Sequence, residues 1–369
     1  VGINPDAFDW ELEPGESFQT PEAVMVYSDN GLNEMSQTFH KLYAKRLARG
    51  YWRDRSRPIL NNNWEATYFD FTEDRLVKIA KKAKECGIEL FVLDDGWFGN
   101  RRSDRAGLGD WIVNKKLLPN GIEGLAERIE ELGMQFGLWI EPEMINKDSN
   151  LYRQHPDWIL QTPGRTDSHG RYQYVLDFSR REIVDYIYTM IAKILSEAKI
   201  SYIKWDMNRS ITECYSIAYP AERQGEIFHR YILGVYDLYE RLTSEFPKVL
   251  FESCASGGGR FDPGMLYYAP QGWTSDDSDA IERLKIQYGT SMCYPISSMG
   301  SHVSVIPNHQ VFRNTPLHTR ANAAYFGTFG YELDLNKLSD SEIEDTNLIY
   351  EKVSSNATIW NILQIKKSL

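Results

Sequence analysis

The chain is poor in cysteine, with four in 369 residues, and Cys86, Cys214, Cys254 and Cys293 stand far apart with no CxxC pair. That spacing argues against a zinc site or a disulfide scaffold and points to reduced thiols in a cytoplasm, the expected location. No apolar run approaches the ~18 residues that suggest a membrane span, and Val1 to Trp10 lacks the basic head and apolar middle of a signal peptide. Positive charge is short as well. Forty-one Lys and Arg against 52 Asp and Glu leave −11, a field that repels phosphate backbones and anionic headgroups, so neither nucleic acid nor a membrane is expected as a partner. The seven histidines show no HxH or HExxH spacing, and the Walker phosphate-loop pattern is missing, so the expectation is no cofactor and no histidine-built metal centre.

What is present is 42% apolar, 13% aromatic and 25% charged, the composition of a globular enzyme and too apolar for a disordered chain. Residues 8–28 alternate apolar and polar around a Pro14-Gly15 turn, which predicts two half-buried strands at the edge of another domain. Residues 1–30 are therefore expected to be the β remnant of an N-terminal domain. The start at Val1, in mid-strand, reads as that of an excerpt. Leu32, Met35, Phe39, Leu42, Tyr43 and Leu47 then recur at helical spacing and predict a connector helix over 31–49 that leads into a main domain ending at residue 369.

Short apolar runs next alternate with longer amphipathic ones. Strands are predicted at 58–64, 88–94, 135–141, 201–206, 248–253, 272–275, 295–298 and 330–335. Helices are predicted at 73–86, 121–132, 181–198, 225–246, 279–290 and 341–354, with weaker signals at 114–121 and 315–329. Eight βα repeats predict an α/β fold, a (β/α)8 TIM barrel, with the doubly wound open sheet as the competing architecture. The polar residues favour the barrel, because they recur at many strand ends instead of one crevice: Trp64, Asp94 and Asp95, Trp139 and Glu141, Asp206, Cys254, Asp276.

The segment YIKWDMNR puts Lys204, Asp206 and Asn208 at alternate positions of one strand, so three polar groups share a face that in a barrel interior is costly unless it is a site. Asp206 is the candidate nucleophile, with Lys204 expected to stabilise its charge; a buried structural ion pair is the other reading. In GWTSDDSDA, capping accounts for Asp277, Ser278 and Asp279, and Asp276, one step earlier, is the candidate acid. Two carboxylates on different strand ends are what glycoside hydrolysis requires. Trp64, Trp97, Trp111, Trp139, Trp158, Tyr68 and Tyr174 are candidates to face a pyranose, or else core. Asp94 and Asp95 suit sugar hydroxyls, and a carboxylate-only calcium or magnesium site is the alternative. CASGGGR, with three consecutive glycines, permits close backbone approach to a ligand or is a tight turn.

Taken in order across residues 60–290, NNNWEATYFDF, LFVLDDGWFG, FGLWIEPEM, YIKWDMNR, CASGGGRFDPG and WTSDDSDAIER together resemble glycoside hydrolase family 36, the microbial α-galactosidases. The resemblance implies a (β/α)8 barrel and a retaining α-galactosidase acting on terminal α-D-galactosides such as melibiose or raffinose. Asp206 is then the nucleophile and Asp276 the acid/base. The resemblance places Asp94, Asp95 and Lys204 on the sugar hydroxyls, Trp64 and Trp139 along the ring, Arg171 over it from the loop after the third strand, and Cys254 and Gly257 around the C2 hydroxyl; Asn208 joins the binding set. It also implies an N-terminal β-sandwich before the barrel, a β-domain after it, a bacterial cytoplasmic location and a homotetrameric full-length form. The other possibilities are a galactosyltransferase of raffinose-type sugars and a galactose-binding barrel without chemistry.

Overall fold

The computed structural model describes residues 2–366, with side chains described for 2–354. Eight short strands, almost wholly buried, form the centre: β1 (Leu60–Asn62), β2 (Leu90–Leu93), β3 (Gln135–Ile140), β4 (Tyr202–Trp205), β5 (Leu250–Ser253), β6 (Gln271–Trp273), β7 (Met299–Ser304) and β8 (Thr328–Glu332). All eight pair in parallel, and β1 meets β8 through Leu60↔Gly330 and Asn61↔Tyr331, so the sheet closes on itself. Closure leaves no edge strand, and it excludes the open doubly wound sheet.

The surrounding helices follow their apolar spacing. In Arg181–Glu197 the buried residues are Ile183, Val184, Ile187, Ile191 and Leu195, a stripe at three- to four-residue intervals. In Glu73–Glu85, Leu76, Val77, Ile79, Ala80 and Ala83 are buried and the Thr72 hydroxyl accepts the Arg75 N–H. Ala280–Ser291 starts on Asp279, whose carboxylate accepts the N–H groups of Ile281 and Glu282 at 3.1 and 3.2 Å, as the capping argument anticipates.

Several expectations are corrected. Residues 8–28 form no strand. The turn is there, with Glu16 N–H donating to Glu13 O at 3.0 Å, but an extended segment becomes a strand only when a ladder partner satisfies its backbone, and the described residues supply none. Instead Phe8, Trp10 and Phe18 gather around the His229 ring on the helix Ile227–Glu245. The connector is α-helical only over Gly31–Leu42 and continues as a π turn, Tyr43–Leu47. The seventh strand is Met299–Ser304, and the predicted 295–298 is largely a 3-10 turn, because Pro295 cannot donate to a ladder. Residues 114–121 are turns, and 315–329 splits into a helix, Leu317–Ala324, and the start of β8. The loop after β3 also carries an antiparallel pair, Met144–Asn146 with Gln173–Val175, which brings a distant turn back over the barrel. No helix among the described residues is long and apolar enough to cross a membrane.

Candidate active site

Side chains at the C-terminal ends of the strands converge on a cavity of about 240 Å³. A larger cavity, about 790 Å³, opens at the opposite end among Lys45, Arg53, Arg55 and Arg57, with Asp54 its only acid among the described residues. Barrel chemistry sits at the C-terminal face, and a two-carboxylate reaction has its parts only in the smaller cavity. Of the residues singled out from sequence, Trp64, Asp94, Asp95, Trp139, Arg171, Lys204, Asp206, Asn208 and Asp276 line it.

Asp206 follows β4 directly, and four N–H groups aim at its carboxylate. Oδ2 accepts from Asn208 Nδ2 at 2.7 Å and Trp139 Nε1 at 3.2 Å, and Oδ1 accepts from the backbone of Met207 at 2.9 Å and Ser256 at 3.3 Å. Lys204 shares its face by strand alternation, but its Nζ reaches across to Asp94 Oδ2 at 3.1 Å. Asp206 thus acts on Lys204 as a nearby charge and not as its hydrogen-bond partner: the long lysine side chain extends past β3 to the end of β2, and indole, amide and backbone donors hold Asp206. Burial opposes the Lys204 charge, yet Asp94 and Glu332 raise its pKa well above the usual lysine value.

Asp94 also accepts from Asn62 Nδ2 at 2.6 Å, and its Oδ1 takes the Asp95 N–H at 2.8 Å. Asp95 is clasped by Arg101, whose Nε lies 3.0 and 3.1 Å and Nη2 2.8 Å from its oxygens. Burial pushes the Asp95 carboxyl up while Arg101 opposes the shift. Arg101, wholly buried, comes from the polar loop GNRRSDRAG, where nothing in the local pattern distinguishes it from Arg102 or Arg105.

Asp276 stands just beyond β6. Burial first, then the nearby Asp206 charge, push its carboxyl from 3.8 to about 6. The adjacent Asp277 and Asp279 are engaged elsewhere, as the capping reading anticipates: Asp277 accepts the Asp279 N–H, and Asp279 caps its helix and pairs with Arg313. Arg171 reaches the cavity from a turn in which it and Tyr172 both have positive φ, +52° and +61°, and its guanidinium is tied to Asp104 Oδ1 at 2.9 Å.

Cys254 and Gly257 do not line the cavity; they stand against its two central carboxylates. Burial, and after it the Asp206 and Asp276 charges, push the Cys254 thiol well up, and the Gly257 N–H donates to Cys254 Sγ at 3.4 Å. Gly257 has φ +84°, and a Cβ there would stand 2.5 Å from the Asp276 nitrogen, so only glycine lets this turn press against the Asp276 backbone.

Sequence reasoning missed Glu65, Trp273, His309, Gln310 and Glu332, all of which line the cavity. Glu65 accepts from Ser278 Oγ at 2.5 Å and Val305 N at 2.9 Å, and lies 3.2 Å from His309 Nδ1, an ion-pair contact without hydrogen-bond geometry. Gln310 Nε2 donates to the Asp276 carbonyl at 2.6 Å. Two of these had a readable signal, since Trp273 and Glu332 both lie inside predicted strands. His309 and Gln310 sit in a loop after a strand placed four residues too early. Trp97, Trp111 and Trp158 are core.

Comparison with known proteins follows the same lines. The chain is 64% identical over 342 residues to the alpha-galactosidase AgaA of Geobacillus stearothermophilus, covering 93% of this chain and 47% of that protein. It is 54% identical over 364 residues to the alpha-galactosidase Mel36A of Lactobacillus acidophilus, covering 99% and 49%. A crystal structure of an AgaA variant in complex with raffinose superposes with a TM-score of 0.95 at 60% identity, over 96% of this chain and 50% of that one. The chain thus spans about half the length of these relatives. The model of the Melibiase family matches residues 17–364, and the chain belongs to that family.

Proposed function

We propose that the chain is the catalytic barrel of a retaining α-galactosidase that hydrolyses terminal, non-reducing α-D-galactosides of the melibiose and raffinose type. One observation carries the reading: two carboxyl groups of opposite preparation face one small cavity, Asp206 fixed by four N–H donors and Asp276 raised to about 6 and so able to arrive protonated. A volume of about 240 Å³ is below the ~300–1,000 Å³ typical of drug-sized ligands and suits one sugar ring. The Asp94–Lys204 and Asp95–Arg101 pairs offer it acceptors and a donor, and Trp64 and Trp139 offer it flat walls. The named activity of AgaA and Mel36A, and the raffinose complex of the former, support the same conclusion.

In the first step Asp206 bonds to the anomeric carbon as the bond to the aglycone oxygen breaks, and that oxygen takes the Asp276 proton. In the second, Asp276 takes a proton from water, whose oxygen bonds to the anomeric carbon as the ester to Asp206 breaks. NMR of the first product anomer tests this, alongside chromogenic α-galactoside, β-galactoside, α-glucoside and α-N-acetylgalactosaminide. α-Galactose released first, from the α-galactoside only, is expected, and Asp206→Ala should lower kcat on the order of 10³-fold or more with the fold intact. β-Galactose as the first product would defeat double displacement. Transfer to excess sucrose, if it outran hydrolysis, would favour the galactosyltransferase reading. A cytoplasmic location, supported by the four free thiols, and a homotetrameric full-length form belong to the same proposal, and a monomer mass for the full-length protein in light scattering would remove the second.

A further inference from the structure

Glu141 follows β3 at the cavity end of the barrel, is fully buried and does not line the cavity. Its two oxygens face two different parts of the site. Oε1 accepts the backbone N–H of Asn208 at 2.5 Å, and Oε2 accepts Gln173 Nε2 at 3.1 Å. From Asn208 the chain of contacts runs straight to the reacting group, since its Nδ2 donates to Asp206 Oδ2 at 2.7 Å while its Oδ1 accepts from Ser256 Oγ. From Gln173 it runs to the arginine turn: Gln173 N–H donates to Gly170 O at 2.8 Å and closes the loop that holds Arg171. Two successive non-glycine residues at positive φ, Arg171 and Tyr172, are conformationally costly and persist only where surrounding contacts hold them.

We infer that Glu141 is a positioning residue for the glycosyl transfer, one side chain that fixes both the Asn208 hydrogen bond to the nucleophile and the turn presenting Arg171. The inference rests on the glycosidase reading of Asp206. It requires reach and hydrogen bonding from Glu141, not its charge. Among the described residues no lysine or arginine hydrogen-bonds to it, and burial followed by the Asp206 charge pushes its carboxyl up to about 8, with Arg101 opposing. A neutral amide therefore serves as well as the acid. Gln173 Oε1 is buried without a donor; with that amide turned over, an N–H at position 141 supplies one.

Glu141→Gln and Glu141→Asp separate the alternatives, because the first keeps the reach and discards the charge while the second does the reverse. With a chromogenic α-galactoside, Glu141→Gln should keep kcat within about threefold of wild type, and Glu141→Asp should lose about 100-fold in kcat with KM nearly unchanged, the effect of a reacting group displaced by about 1 Å. Crystal structures give a readout independent of turnover. The Asn208–Asp206 contact should persist in Glu141→Gln and open beyond hydrogen-bonding distance in Glu141→Asp. The reverse ranking, or both variants at the wild-type rate with that contact unmoved, would overturn the inference. Wild type inactive on every α-galactoside would instead defeat the glycosidase reading and leave the structural comparison to decide the positioning role.

Discussion

Replacing Asp276 with Asn should make the protein more stable at neutral pH, and the size of the gain follows from the site. A carboxyl whose value rises from 3.8 to about 6 on folding binds its proton more tightly in the folded state. The stability it contributes is complete below the unfolded value and is lost as pH rises through about 6. Two units at 1.36 kcal/mol each make the ionised group at pH 7.5 a liability of about 3 kcal/mol, and Asn, which does not ionise, removes it. With an unfolding entropy of about 2.1 cal/mol/K per residue, 369 residues convert ~3 kcal/mol into a Tm rise of roughly 4 °C. Thermal melts of wild type and Asp276→Asn from pH 3 to 8 read this directly: the curves should nearly coincide at the acid end, separate between about pH 4 and 6 as the pH crosses from the unfolded to the folded value, and run parallel above that. A Tm difference that stays constant with pH, or a variant less stable at pH 7.5, would refute burial and the Asp206 charge as the origin of the shift. The same group predicts that wild-type kcat/KM falls about tenfold per pH unit above the Asp276 titration, since only the protonated form donates to the leaving oxygen.

Arg101→Met leaves the buried Asp95 without its cation and should cost about 3–5 kcal/mol at pH 7; the deficit should shrink near pH 4.5 as Asp95 takes up a proton, a trend that urea melts at the two pH values would show or exclude. Gly257→Ala puts a Cβ at φ +84° against the Asp276 backbone and should lower stability by at least about 1–2 kcal/mol, together with kcat. A variant with wild-type melting and turnover would show that the turn relaxes without moving Asp276.

The barrel was legible because its helices announce themselves locally: a stripe such as Ile183, Ile187, Ile191 and Leu195 needs only one buried side to exist. The strands were legible where the apolar run was dense, as in LFVL, and not where it was MGSHVS, a strand held by its neighbours β6 and β8 more than by its own composition. At residues 8–28 the error ran the other way, since alternation satisfies the side chains of a strand while its backbone still needs a partner.

Sequence alone determined which residues had to be polar at strand ends, and therefore that Asp206, Asp276, Asp94 and Asp95 meet at one end of a closed sheet, because each follows a short buried run whose direction the βα repeat sets. Tertiary structure decided their partners. Lys204 chose Asp94 over Asp206, Arg101 among three arginines took Asp95, and Glu65, Trp273, His309 and Glu332 joined the cavity from separate strand ends and a long loop. Such pairings depend on distances between chain segments far apart in sequence, 240 positions for Glu65 and the Val305 nitrogen, and only closure of the barrel brings those segments together.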